Sequence, residues 1–327
     1  IARSDSVDPV LFDRRSRRGD VLSLERFGVD TSVQRIADSR EWRFEYALSE
    51  MPLGLLPEAL ALDLRLPEGP GGFTNIAHVE LNGEFIHSRR LQAGIDNRFA
   101  VALPPERQAL TNEISIVLQR HRDDGGCEIS QQRYPVQLTG ESGLMVSRGA
   151  GAAGFAALPP AFANGLEVRL PSDLEGAERL IAARVTAESL AYFVPAGAPM
   201  RFTFQTPEDG LSGPVTGPFL SVNATPSNAG APLRVYADRL VMNESGGSGA
   251  DVRALSNLAL IQVARAELAR RDGAPVYAPG LTVHAIDDAP RIAGARLGRE
   301  FVTIVHSDGV AVSPERNSVA ALSDLLP

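Results

Sequence analysis

The sequence predicts an α+β protein of two domains, a β-sandwich of jelly-roll type followed by an α/β domain. Three observations carry that prediction. Between Asn75 and Leu138, short runs alternate apolar and polar residues and are broken by Pro, Gly and Asn, the pattern of an antiparallel sandwich or jelly roll. A Gly/Ala tract at residues 149–154 then interrupts the pattern. Beyond Leu166, strand-like runs alternate with runs of helical spacing, as in an α/β sheet.

Taken in order, residues 1–20 are polar and contain Arg14-Arg15-Ser16-Arg17-Arg18. They read as a solvated linker whose basic run could meet anionic headgroups or an acidic partner. The sandwich covers residues 21–146. Glu41 to Leu48 alternates strictly and turns Trp42, Phe44 and Tyr46 to one face,. Leu60 to Leu66 repeats the alternation. Ala77 to His87 reads as a hairpin, because Asn82-Gly83 supplies the two positive-φ residues of a type I′ turn. Phe99–Leu103, Asn112–Leu118 and Tyr134–Leu138 supply further strands.

Residues 147–165 form a Gly/Ala/Pro linker, and residues 166–327 the α/β domain. Strands are expected at Gly165–Pro171, Met200–Phe204, Phe219–Val222, Leu233–Val241, Leu281–Ile286 and Glu300–Val305, with a turn at Asp308-Gly309. Ser172-Asp173 caps a helix over Leu174–Phe193. A second helix is expected over Asp251–Arg271, where Val252, Leu255, Leu258, Ile261 and Leu268 cover a broad face.

Composition narrows the partners. The chain has 327 residues, 44% hydrophobic and 22% charged, with 30 Gly and 23 Pro. That is enough for two globular domains rich in turns. A net charge of −8 argues against nucleic acid as a partner, since phosphate binding needs a basic face. The single cysteine, Cys127, excludes an intrachain disulfide framework and cysteine-rich zinc sites. No run of about 18 apolar residues occurs. The first residue is Ile rather than Met, so missing targeting signals carry no information.

The order of motifs resembles one half of the periplasmic regulatory subunits of bacterial cellulose synthase (BcsB type). The matching residues are Leu22 to Asp30, the hairpin Val79-Glu80-Leu81-Asn82-Gly83, Leu103-Pro104 with Thr111-Asn112-Glu113-Ile114, and the Cys127 segment running into Gln137-Leu138. Phe155 to Phe162 with Leu166 to Pro171 is similar to the lead into that family's second domain type. The resemblance implies a carbohydrate-binding-like jelly roll followed by a flavodoxin-like domain, from Val21 onward. It also implies a non-catalytic role in cellulose or related exopolysaccharide synthesis. The implied partners are a membrane cellulose-synthase-like glycosyltransferase and the β-glucan chain, in a system regulated by cyclic di-GMP. The implied location is the periplasm, with anchoring to the inner membrane through parts outside this chain.

Gly149-x-Gly151-x-x-Gly154 matches a dinucleotide fingerprint in letters, but Pro159-Pro160 would break the helix that such a turn must open. It reads as linker, and no cofactor is expected. His78, His87, His121, His284 and His306 are dispersed, without metal-ligand spacing on one element. No Gly-x-Ser-x-Gly elbow is present, and among 40 acidic residues no glycosidase pair can be nominated. Arg120 to Asp124 reads as a charged loop tip. Trp42 and Tyr134 are the candidates for glycan contact, because sandwiches bind sugars on flat aromatic platforms; the spacing of Trp42 also fits a core position. Two further readings stay open: a carbohydrate-active enzyme with an appended jelly roll, and a pure assembly or adhesion module.

Overall fold

The computed structural model describes residues 21–52, 55–69, 72–123, 133–147, 154–208, 210–231, 233–236, 239–242, 251–253, 257–271, 274–287, 289, 291–292, 297, 301–306 and 311–312. The basic run at Arg14–Arg18, Cys127, Gly149 to Ala153 and the turn at Asp308-Gly309 lie outside them. The chain divides into two compact units. One comprises Ile1–Ala47 with Leu55–Gly151, the other Leu48–Gly54 with Ala152–Pro327.

The first unit is a two-sheet, jelly-roll-like sandwich. Its strands are β1 (Val21–Ser23), β2 (Gln34–Ile36), β3 (Ser39–Ala47), β4 (Leu56–Arg65), β5 (Phe73–Leu81), β6 (Glu84–Leu91), β7 (Asp96–Ala102), β8 (Thr111–Arg122), β9 (Tyr134–Leu138) and β10 (Gly143–Ser147). One sheet runs β3-β8-β5-β6. The other is centred on β4, which pairs with β7 along one edge and with β10 and then β9 along the other; β1 and β2 lie outside β10 and β9. Every pairing is antiparallel.

Alternation explains the core. Trp42, Phe44 and Tyr46 on β3, Ile114, Ile116 and Leu118 on β8, and Ala77, Val79 and Leu81 on β5 are all buried. Leu60, Leu62 and Leu64 on β4 are fully buried with Phe99 and Val101 on β7. The opposite face of β4 is also buried, where Ala59 and Ala61 pack with Ala100 on β7 and Met145 on β10. The β5–β6 turn has Asn82 at φ 57° and Gly83 at φ 78°, the left-handed pair that a two-residue hairpin requires.

The second unit is not the α/β alternation that the sequence predicts, and a flavodoxin-like domain is not evident. It opens with the short helix α1 (Leu158–Phe162), β11 (Leu166–Pro171), the helix α2 (Gly176–Phe193) and β12 (Met200–Gln205). Next come β13 (Leu211–Ser212), β14 (Phe219–Val222), β15 (Thr225–Pro226), β16 (Ala229–Gly230), β17 (Leu233–Tyr236), β18 (Arg239–Met242) and β19 (Asp251–Arg253). The unit ends with β20 (Leu258–Arg271), β21 (Ala274–Ile286), β22 (Val302–His306) and β23 (Ala311–Val312). The main sheet runs β12-β11-β14-β21-β20-β22-β23, with β16 on β20. The pairings among β12, β11, β14 and β21 are parallel, and those beyond are antiparallel.

The helix expected over Asp251–Arg271 is instead β19 and the 14-residue strand β20. β20 lies between β21 and β22, so both its edges are paired, and Leu258, Ala259, Leu260 and Ile261 are buried in succession, so both its faces are covered. A continuous apolar run of this kind also fills a helical face, and periodicity cannot separate the two. Tertiary pairing then overrides the helix propensity of Ala, Leu, Arg and Glu. The expected strand Leu233–Val241 is split between β17 and β18, which pair antiparallel. The helix α2 starts at Gly176 with Glu175 as its N-cap, and no side chain caps it; Ser172 and Asp173 precede it.

Polar side chains on one face of this sheet hold the irregular excursion at 211–235. Arg169 donates to the carbonyls of Gly213 and Pro214. The Ser221 hydroxyl donates to the Ala224 carbonyl at 2.7 Å. Gln262 accepts from the Leu233 amide and donates to its carbonyl, at 2.9 and 2.8 Å. These buried groups are therefore spent on satisfying backbone that no ladder serves.

Candidate functional site

The outer face of the β3-β8-β5-β6 sheet presents the richest mixture of exposed chemistry in the sandwich. Antiparallel register lines up its outward residues in rows, with neighbours in a row about 4.8 Å apart across the strands. One row is Glu41, Val117, His78 and Ser88; the next is Arg43, Ser115, Glu80 and Phe85; a third carries Gln119, Ile76 and Arg90. Alternation explains why these side chains share a face, since their neighbours Trp42, Ile116 and Val79 point into the core.

Its electrostatics are balanced and largely pre-arranged. Arg43 donates to Glu41 Oε1 at 2.7 Å, and the Ser115 hydroxyl donates to the same oxygen at 2.7 Å. These bonds, the Arg43 one first, hold the Glu41 carboxyl below the usual carboxylate range. Arg90 donates to the Thr74 hydroxyl at 3.1 Å, and Thr74 to Asp123 at 2.6 Å.

Phe85 stands out of this polar field, 57% exposed. Its ring centroid lies 6.2 Å from that of His78. The two-residue turn sets Phe85 opposite Glu80, and the register shift between Val79 and Glu80 then puts His87 opposite Val79. Arg107 donates to the Phe85 carbonyl at 3.1 Å, and Asn82 Nδ2 to the Arg107 carbonyl at 2.8 Å. An exposed ring is thus held at the sheet's edge beside carboxylate, imidazole, amide and guanidinium groups. Such a surface can stack one face of a sugar ring and exchange hydrogen bonds with its hydroxyls.

The two aromatic residues nominated from the sequence lie elsewhere. Trp42 is 3% exposed and belongs to the core. Tyr134 is 7% exposed, and its hydroxyl donates to the Pro67 carbonyl. Neither ring presents a flat face to solvent. Tyr134 instead packs on a buried cation: the Arg120 guanidinium carbon lies 4.6 Å from its ring centroid and 3.7 Å from that of Phe73. Arg120 is itself buried, so it is a strut at the end of the sandwich rather than part of an open loop tip,.

The histidines are not assembled. His87 pairs with Val79 and points into the core against Phe99, with ring centroids 5.7 Å apart, whereas His78 faces outward. Burial lowers the pKa of His87. His284 on β21 is buried, and desolvation lowers its pKa to about 4. Among the described residues no three His, Cys, Asp or Glu side chains are grouped to hold a metal ion, and no helix is long and apolar enough to cross a membrane. In the second unit an open groove of about 550 Å³ lies between Ser227–Gly230 and Glu267–Arg270.

Phe85 is the residue that sequence reasoning missed. Its signal was present: once Asn82-Gly83 is a two-residue turn, the facing of each residue on β6 follows, and an aromatic next to Glu84 falls at an exposed position. The register shift between Val79 and Glu80, which sets His87 rather than Ile86 opposite Val79, is the part that no pattern shows.

No protein-family description matches this chain, and no curated protein matches its sequence. Several solved structures are weakly similar. One is the salicylyl-acyltransferase SsfX3 from a tetracycline biosynthetic pathway, at 13% identity and TM-score 0.17, covering 50% of this chain and 38% of that one. Another is a family two carbohydrate esterase from Clostridium thermocellum in complex with cellohexaose, at 8% identity and TM-score 0.21, covering 59% and 63%. A third is the CBM22-1–GH10 part of the Clostridium thermocellum endo-1,4-β-D-xylanase 10B with xylohexaose, at 8% identity and TM-score 0.21, covering 59% and 34%. This chain spans less than two-thirds of the length of each of the three. Scores this low carry no argument about its fold or its activity.

Proposed function

We propose that the chain is a non-catalytic accessory subunit of cellulose or related exopolysaccharide synthesis, acting in the periplasm beside a membrane glycosyltransferase. In this reading the outer face of the β3-β8-β5-β6 sheet gives the emerging β-glucan a shallow, polar track. The observation that carries it is the exposed ring of Phe85 beside the half-buried ring of His78, set in rows of Glu41, Arg43, Glu80, Gln119 and Arg90. The ordered motifs from Leu22 to Pro171 support the same reading through their resemblance to the cellulose synthase subunits.

Physical chemistry favours a face over a pocket here. A growing polymer must keep sliding, so each contact has to break as easily as it forms. Hydrogen bonds exchanged with water contribute about 1 kcal/mol net each, and one half-exposed aromatic adds a comparable amount. Binding through such contacts is weak and spread along the chain.

The experiment is co-expression of this chain with a membrane cellulose-synthase-like glycosyltransferase, followed by affinity purification and a hydrolysis screen on soluble glucans. The expected result is co-purification without turnover. Hydrolysis abolished by a single Asp or Glu substitution would replace this reading with the enzyme.

A further inference from the structure

We infer that β12 is a self-association edge, and that two copies of this chain pair antiparallel along it around Phe202. The inference is independent of the glucan-binding face. Among the described residues β12 forms the open end of its sheet and pairs only with β11. Met200, Phe202 and Phe204 stand 46%, 48% and 63% exposed along it. They extend the row of Leu166, Val168 and Leu170 on β11, so the sheet's apolar face reaches its rim uncovered. A single charge guards the strand, Arg201, and it is engaged with Glu167 at 3.0 Å. Edges lacking Pro, bulges or free charges are templates for another strand.

The backbone shows which register fits. Amides on or next to β11 take the carbonyls of Pro199 and Gln205: Leu166 donates to the first at 3.0 Å and Ser172 to the second at 3.1 Å. Alternation therefore turns the N–H and C=O groups of Met200, Phe202 and Phe204 the other way, toward the open edge. Antiparallel pairing demands that outward-bonding residues face each other. A twofold axis at Phe202 meets that demand: Met200 lies opposite Phe204 of the second copy, and Phe202 opposite Phe202.

The same register is chemically self-complementary. Met-Arg-Phe-Thr-Phe reads alike in both directions in its pattern of apolar and polar residues. Every cross-strand pair on the apolar face is then aromatic or thioether against aromatic, a favoured combination. On the other face Arg201 meets Thr203, so no like charges are opposed. These features point to a second copy of the chain, because an unrelated strand has no reason to match that palindrome. A closed isologous pair also consumes the edge on both copies and prevents filament growth. One strand pair falls below the about 1,000 Å² of a stable interface, so the dimer should be weak and concentration-dependent.

Sedimentation across a concentration series tests the inference, with Phe202→Lys as the edge variant and circular dichroism as the check of folding. The wild-type chain should pass from monomer to dimer, and Phe202→Lys should stay monomeric while folded. A cross-linking arm does not depend on that variant. In a Cys127→Ser background, Phe202→Cys should oxidise to a covalent dimer, because opposed Cα atoms about 5.5 Å apart fit a disulfide. Leu180→Cys, on α2 and 73% exposed, should give only background. A wild-type monomer up to the solubility limit, or equal cross-linking at 202 and 180, would overturn the inference. So would a monomer that binds only a foreign strand at β12.

Discussion

The hydroxyl of Thr139 donates to Oδ2 of Asp63 at 2.9 Å, and that carboxylate is fully buried on β4 between Leu62 and Leu64. The bond sits where the strand line β9–β10 crosses β4. Leu138 pairs with Leu64 and Gly143 with Ala61, so residues 139–142 stand against only Leu62 and Asp63. Asp63 fastens this bulge: its amide donates to the Ser142 hydroxyl at 2.9 Å and its carbonyl accepts from the Thr139 amide at 2.9 Å. Arg98 Nε lies 3.5 Å from the same carboxylate oxygen.

Thr139→Val keeps the shape and removes the donor. Loss of a hydrogen bond to a buried charge costs about 1–3 kcal/mol, and the urea midpoint of the sandwich unit should fall accordingly. An unchanged midpoint would show that Arg98 alone satisfies the carboxylate.

The Asn82-Gly83 turn gives a cleaner test, because a Cβ added at Gly83 meets nothing within 4 Å. Any cost of Gly83→Val is therefore backbone strain at φ 78°, about 1–3 kcal/mol for a β-branched residue in the left-handed region. Gly83→Asn, which tolerates that region, should lose much less. Equal stability of the two variants would place the cost in the unfolded state.

Much of the sandwich was legible because its signals are local. Strict alternation at Glu41–Tyr46 and Leu60–Leu64, and the turn at Asn82-Gly83, each fix a facing within a few residues. The burial of Trp42 follows from the same alternation, whereas that of Tyr134 depends on the distant ring of Phe73 and on Arg120. The exposure of Phe85 follows from the Asn82-Gly83 turn, whereas the inward facing of His87 depends on a shift of ladder register between Val79 and Glu80.

The second unit was harder for a different reason. α2 (Gly176–Phe193) falls within the expected Leu174–Phe193, although Leu180 stands exposed on it, but β20 is a central strand without alternation. Asp272-Gly273, between Arg271 and Ala274 in the β20–β21 ladder, was the available hairpin signal. Its weight is lost when the preceding run of Ala, Leu, Arg and Glu also favours a helix.

Stability should depend on pH through His284. In the folded chain desolvation lowers its pKa to about 4 from 6.5, and Nε2 has no hydrogen-bond partner among the described residues. Below pH 6.5 the unfolded chain takes a proton that the folded chain refuses. Stability therefore falls as pH drops from 6.5 toward 4, by about 3 kcal/mol in all, and the loss from this group then levels off. His87, also lowered by burial, adds to the loss in the same direction. His284→Leu should flatten the slope of the second unit's unfolding between those pH values. An unaltered slope would assign the pH dependence to other groups.

The outer face of the four-stranded sheet is the centre of the functional account, and affinity electrophoresis in gels cast with a soluble β-glucan tests it most directly. The intact chain should be retarded slightly and in proportion to glucan concentration. Phe85→Ala combined with His78→Ala should restore free mobility with the fold preserved by circular dichroism. Tyr277→Ala, which removes an exposed ring in the other unit, should leave the retardation intact. Retardation that survives the loss of Phe85 and His78, or an intact chain that glucan never slows, would contradict the account.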